Sequence, residues 1–86
     1  MFKLEFSNTA RKELARVYAS DLKLFSRLSA VLESLRSNPY QGKKLKGQFQ
    51  GDFSVRVGDY RIVYTIFKER LVVSVIDLDH RKDIYR

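Results

Sequence analysis

The sequence predicts a single α+β domain over residues 1–86. Its element order is β-α-α-β-β-β: a largely antiparallel sheet with a helical hairpin packed on one face. Three observations predict this. Residues 2–6 alternate apolar and charged. Two consecutive stretches then carry apolar residues at three- and four-residue steps, parted only by Ser20-Asp21. Beyond residue 52 the period changes from 3.6 to 2.

Phe2-Lys3-Leu4-Glu5-Phe6 reads as a half-buried strand. Ser7, Asn8 and Thr9 offer N-cap oxygens for a first helix, whose Ala10, Leu14, Val17 and Tyr18 share a face. Ser20 and Asp21 can cap a second helix. Leu22, Phe25, Leu28, Leu32 and Leu35 are the expected inward stripe of that helix. Ser37-Asn38-Pro39 ends it, and the short break at Ser20-Asp21 predicts an antiparallel hairpin. Residues 40–52 are polar and hold three of the four glycines, which predicts a loop, or a loop with a short strand around Leu45. Phe53-Ser54-Val55-Arg56-Val57 alternates cleanly and runs into Gly58-Asp59, a pair suited to a type II′ or I′ hairpin turn. Tyr60 to Phe67 and Leu71 to Leu78 are two further strands, and Asp79 to Arg86 is a short charged tail.

Composition narrows the chemistry. There is no cysteine, so a thiol nucleophile, a disulfide framework and a Cys-ligated zinc are excluded. A single histidine excludes a His-rich metal centre, so neither metal nor cofactor is expected. The formal net charge is +7, which favours polyanionic partners. No apolar run reaches the ~18 residues of a spanning helix, and the first residues lack the apolar core of a signal peptide. A cytoplasmic protein with no membrane partner is the expectation.

The hairpin around Gly58-Asp59 has a consequence for two arginines. Two turn residues place Val57 across from Tyr60, Arg56 across from Arg61, and Phe53 across from Tyr64. The apolar members then pack on the helices, and Arg56 and Arg61 sit side by side on the other face. Like charges directly opposed destabilise a sheet by a few tenths to ~1 kcal/mol. The pair is either a solvated face relieved by Asp77 or Asp79, or a cationic fork for a phosphate, a role suited to the planar, permanently charged guanidinium. Lys43, Lys44 and Lys46 lead into this hairpin, and His80, Arg81 and Tyr85 follow the last strand, so basic residues from three segments can converge there. Val63, Val72 and Ile76 also fall on the outer face, as a partner surface or as a patch covered by the chain itself.

Three segments carry a family resemblance along essentially the whole chain. They are Lys43-Lys44-Leu45-Lys46-Gly47, then Phe53-Ser54-Val55-Arg56-Val57-Gly58-Asp59-Tyr60-Arg61-Ile62-Val63-Tyr64, then His80-Arg81-Lys82-Asp83-Ile84-Tyr85. On these the chain resembles the RelE/ParE superfamily of toxins from type II toxin–antitoxin pairs. The resemblance implies the RelE-like microbial RNase fold and, for the favoured RelE-like branch, a ribosome-dependent, metal-independent endoribonuclease. Such toxins cut mRNA in the decoding site by attack of the ribose 2′-hydroxyl, and so inhibit translation. It implies a cognate antitoxin, the ribosome and mRNA as partners, with DNA reached only through the antitoxin. Two alternatives stay open: a ParE-like inhibitor of DNA gyrase, and a non-catalytic nucleic-acid-binding module of the same fold.

Carried over by position, Arg61 matches the family's phosphate-binding arginine, and Arg56 falls where RelE has an active-site lysine. Arg81 matches a general acid or charge stabiliser, and Tyr85 matches a tyrosine that stacks on the substrate base. Ser54 stands where RelE has another lysine. Arginine does not deprotonate near neutrality, so Arg56 is a poor base. His80, the only side chain with an ordinary pKa near 7, is the candidate for proton transfer. Lys43, Lys44 and Lys46 are expected to contact rRNA or mRNA phosphates.

Overall fold

The computed structural model describes residues 1–47 and 51–80. Within them the chain forms β1 (Lys3–Phe6), α1 (Asn8–Ser20), α2 (Leu22–Ser37), β2 (Lys43–Lys44), β3 (Phe53–Val57), β4 (Tyr60–Phe67) and β5 (Val72–His80). Two 3₁₀ turns, Pro39–Gln41 and Lys68–Arg70, join α2 to β2 and β4 to β5. The α+β architecture is as the periodicities predict. Two strands differ in position: β2 lies at Lys43–Lys44 rather than around Leu45, and β5 runs Val72–His80, taking in Asp79 and His80 from the expected tail.

Side-chain caps set both helix starts. Ser7 Oγ accepts from the Ala10 amide at 3.0 Å, and Asp21 Oδ1 accepts from the Leu24 amide at 3.1 Å. Ser7 also donates to the Ile76 carbonyl at 2.8 Å, so the cap ties α1 to the middle of β5. The hairpin buries Ala10, Val17, Leu28, Leu32 and Leu35 against Phe53, Val57, Ile62, Tyr64, Val73, Val75 and Leu78 of the sheet. Tyr18 and Leu22 depart from the predicted stripes: they are exposed beside the junction, where one stripe ends and the next begins.

The five strands lie in the order β1-β5-β4-β3-β2. β1 is parallel to β5, and the other three pairings are antiparallel. Gly58 has φ +59° and Asp59 is not left-handed, which selects the type II′ turn over I′. This turn fixes the β3–β4 register at Val57↔Tyr60, Arg56↔Arg61, Val55↔Ile62, Ser54↔Val63 and Phe53↔Tyr64.

The sheet carries one irregularity among the described residues, between β4 and β5. The β4–β5 ladder runs Phe67↔Val72 to Tyr64↔Val75, then shifts so that Val63 faces Asp77 and Tyr60 faces His80. Ile76 is the extra residue of a β-bulge. Before the bulge the odd residues Val73 and Val75 join the core; after it the even residue Leu78 does. The bulge exchanges the faces of every residue after it.

Candidate functional site

The outer face, away from the helices, carries a row formed by Arg56, Arg61 and Asp79, paired across three strands. The next row is Lys43, Ser54, Val63 and Asp77. Directly paired residues of a sheet project to the same side, so Lys43, Arg56 and Arg61 share this face with two carboxylates. The opposed arginines read from the sequence are therefore real as a register. Their environments differ: Arg56 is exposed, whereas Arg61 is only 5% exposed. Arg61 is engaged rather than free, so the open two-pronged fork is not the state seen here.

The carboxylates are held by the backbone. Asp77 Oδ1 accepts from the Leu78 amide at 2.8 Å, and Asp79 Oδ1 accepts from the His80 amide at 2.7 Å. Burial pushes the Asp77 carboxyl above its usual value. The hydrogen bond from Leu78 opposes that rise, while Asp79 and Glu13 add to it. Of the two readings of the outer apolar residues, a partner surface or a patch covered by the chain itself, burial favours cover by the chain. Val63 is fully buried and Val72 nearly so, which leaves neither available to a partner.

His80 does not join the arginines. It pairs with Tyr60, whose ring packs on the helix side, and the two rings meet edge-to-face at 5.9 Å. The Tyr60 hydroxyl donates to Glu13 Oε2 of α1 at 3.0 Å, and burial followed by this bond raises the phenol's pKa. The His80 Nδ1 is buried without a hydrogen-bond partner. His80 instead borders a cleft of about 380 Å³ with Lys23, Arg27 and Tyr60. The physical reason is the bulge at Ile76: an unbroken alternation through Val72 and Ile76 would put His80 outside, and one extra residue turns it inward. The signal was present in the sequence, because the inward residues Val75 and Leu78 are three apart rather than two.

The lysines divide between the two sides. Lys43 pairs with Ser54 and faces the arginines; Lys44 pairs with Phe53 and faces the helix side; Lys46 is exposed beyond the strand. Arg81 and Tyr85 lie outside the described residues. Among the described residues no group of three or more His, Cys, Asp or Glu side chains could hold a metal ion. Sequence reading missed Tyr40. This exposed ring follows Pro39 at the edge of the lysine segment and meets Phe53 edge-to-face at 6.0 Å. Its position between Pro39 and a Gly-Lys-Lys run was the available signal.

A family model described as the ParE toxin of type II toxin-antitoxin system, parDE, matches residues 4–85. The chain is 38% identical over 90 residues to Toxin RelG of Mycobacterium tuberculosis, covering 99% of this chain and 97% of that protein. The RelBE2 toxin-antitoxin complex of Mycobacterium tuberculosis contains a chain 32% identical, with a TM-score of 0.73 over 93% of this chain and 98% of that one. The YoeB/ParE toxin from Agrobacterium tumefaciens shares the fold with a TM-score of 0.83 at 19% identity, covering 92% and 98% of the two chains.

Proposed function

This chain belongs to the ParE toxin family of type II toxin–antitoxin systems, within the RelE/ParE superfamily, and on that premise we propose that it is a ribosome-dependent, metal-independent endoribonuclease that cleaves mRNA. Its inhibitor is a cognate antitoxin, the arrangement named for the RelBE2 complex it resembles. The observation that carries the reading is the pairing of Arg56 with Arg61 on one face, with Lys43 in the adjoining row. A sheet gains no stability from opposed arginines. A phosphate undergoing in-line attack gains charge that such groups neutralise.

In the proposed reaction the ribose 2′-oxygen attacks the adjacent phosphorus. The bond from phosphorus to the 5′-oxygen breaks, giving a 2′,3′-cyclic phosphate and a 5′-hydroxyl. Arg56, which is exposed, stabilises the added negative charge on the phosphoryl oxygens, and Arg61 joins it once the contacts that cover it give way. A base removes the 2′-hydroxyl proton, and an acid returns one to the 5′-oxygen. With His80 on the helix side, the acceptor better supported by position is Asp77. It stands on the arginine side across from Val63, and burial has already raised its affinity for a proton. Arg81 and Tyr85 keep the roles that the family resemblance suggests, donor to the leaving oxygen and stacking platform.

The test maps 5′ ends of mRNA on ribosomes with and without the protein. Cuts within ribosome-bound codons that disappear with Arg56→Ala, and with an Arg61→Ala variant that still unfolds cooperatively, support the reading; removal of one such charge stabiliser costs on the order of 10²–10³ in rate. Intact mRNA with an SOS response would favour the gyrase target instead. RNA binding with every transcript intact would favour a non-catalytic module.

A further inference from the structure

The link from α2 to β2 is built around an aromatic column that the reaction above does not use. Tyr64 is fully buried beneath it. Its hydroxyl donates to the Pro39 carbonyl at 2.7 Å and accepts from the Gly42 amide at 3.2 Å. One hydroxyl thus closes the Pro39–Gln41 turn at both ends. Phe53 stacks on Tyr64 with centroids 5.7 Å apart, and Tyr40, from the middle of the clamped turn, meets Phe53 edge-to-face. Gly42 completes the clamp, because a Cβ there would collide with the Tyr64 hydroxyl and the Ser54 carbonyl oxygen.

The clamp fixes a ring that remains accessible. An edge-to-face contact occupies at most one face of Tyr40, and the residue is 53% exposed. Tyr40 borders a cleft of about 540 Å³ lined by Gly42, Lys44, Gly51, Phe53 and Ile66. A neighbouring cleft shares Lys44 and Gly51 and adds Leu45, Lys46 and Gly47. Among the described residues neither lining contains a carboxylate, and none of their ion pairs involves these lysines. An open π-face on a rigid turn, beside an ammonium group with no counter-charge among the described residues, matches a nucleobase and its phosphate.

We propose that Tyr40 and Lys44 form a subsite for one unpaired nucleotide of single-stranded RNA, the base stacked on Tyr40 and the flanking phosphate on Lys44. This rests on the reading of the chain as an RNA-directed toxin. β2 is the edge strand, with Lys43 on the arginine side and Lys44 on the Tyr40 side. An RNA strand leaving the arginine face passes around this edge from one lysine to the other. Among the described residues the lining offers glycine backbone and apolar surface besides Tyr40 and Lys44, so the subsite is expected to tolerate any base. Tyr64 is a positioning residue for the subsite.

The experiment measures binding of a labelled single-stranded oligoadenylate to the purified protein. Loss of one stacked base is expected to weaken binding about five- to hundredfold in Tyr40→Ala. Tyr40→Leu, which keeps apolar packing on Phe53 without a π-face, is expected to lose as much, and Tyr40→Phe to bind as the parent does. Lys44→Ala is expected to lower the salt slope by about 0.7, one phosphate's share on a single strand. In mRNA cleavage, Tyr40→Leu is expected to raise KM and leave kcat unchanged. Parent-like binding by Tyr40→Leu overturns the subsite, as does a loss confined to antitoxin affinity. The underlying reading is tested apart: growth arrest by Arg61→Ala would remove the nuclease whatever the oligoadenylate shows. An inactive Arg61→Ala with normal RNA binding by Tyr40→Leu would remove the subsite alone.

Discussion

Arg56 and Arg61 stand directly across one antiparallel ladder, yet Arg56 is exposed and Arg61 is covered to all but 5% of its surface. The two cations are therefore not interchangeable. One can be altered without touching the packing of the sheet, and the other cannot.

Arg56→Ala separates function from stability. Relief of like charges facing each other is expected to stabilise the fold by a few tenths to ~1 kcal/mol. Loss of a charge stabiliser is expected to slow mRNA cleavage by on the order of 10². Thermal unfolding and cleavage on ribosomes check the two signs in one variant. Parent-like activity would remove Arg56 from the site.

His80→Gln is expected to leave the pH dependence of cleavage unchanged. The imidazole packs on Tyr60 at the helix side of the sheet, opposite the face that carries Arg56 and Arg61. A pH–rate profile checks this. Loss of an ionisation near neutrality would return His80 to proton transfer.

Asp77→Asn is expected to raise the Tm at neutral pH while abolishing most cleavage. Burial, the leading cause, raises the folded-state pKa of Asp77 above its ordinary 3.8. The fold thus disfavours the ionised carboxylate. Stability from this group is fully present below the unfolded-state pKa and is lost as pH rises through the folded-state value. Asparagine keeps the acceptor for the Leu78 amide but cannot ionise. The Tm advantage is therefore expected to shrink as pH falls through the folded-state value and to vanish below the unfolded-state one, which a series of melts from neutral to acid would follow.

Leu71→Gly is expected to stabilise the protein. Leu71 has φ 53° between the second 3₁₀ turn and β5, and half of its surface is exposed. A non-glycine residue in the left-handed region costs roughly 1–2 kcal/mol, and glycine removes that cost while adding chain entropy of up to ~1 kcal/mol. The net gain is expected to be about 0.5 kcal/mol, or 2–4 °C in Tm for a domain of this size. A lowered Tm would mean that the exposed leucine contributes more by contact than its conformation costs.

The sequence by itself determined the order of helices and main strands, the few residues among which each helix finds its cap, the turn at Gly58-Asp59 and so the facing of Arg56 and Arg61. Each follows from local chemistry: a cap oxygen three residues from its amide, a glycine where φ must be positive, a two-residue turn that leaves one register. It did not determine that β1 lies beside β5, because that parallel pairing joins residues about seventy apart and has no local signature. Nor did it determine the depth of Arg61, which depends on everything packed around it. The side taken by His80 was decided by one extra residue at Ile76, where the Ser7 cap also fastens α1 to the sheet. Side chains in a strand alternate with a period of two, so a single inserted residue reverses every assignment beyond it, and only the assembled sheet shows where the count slips.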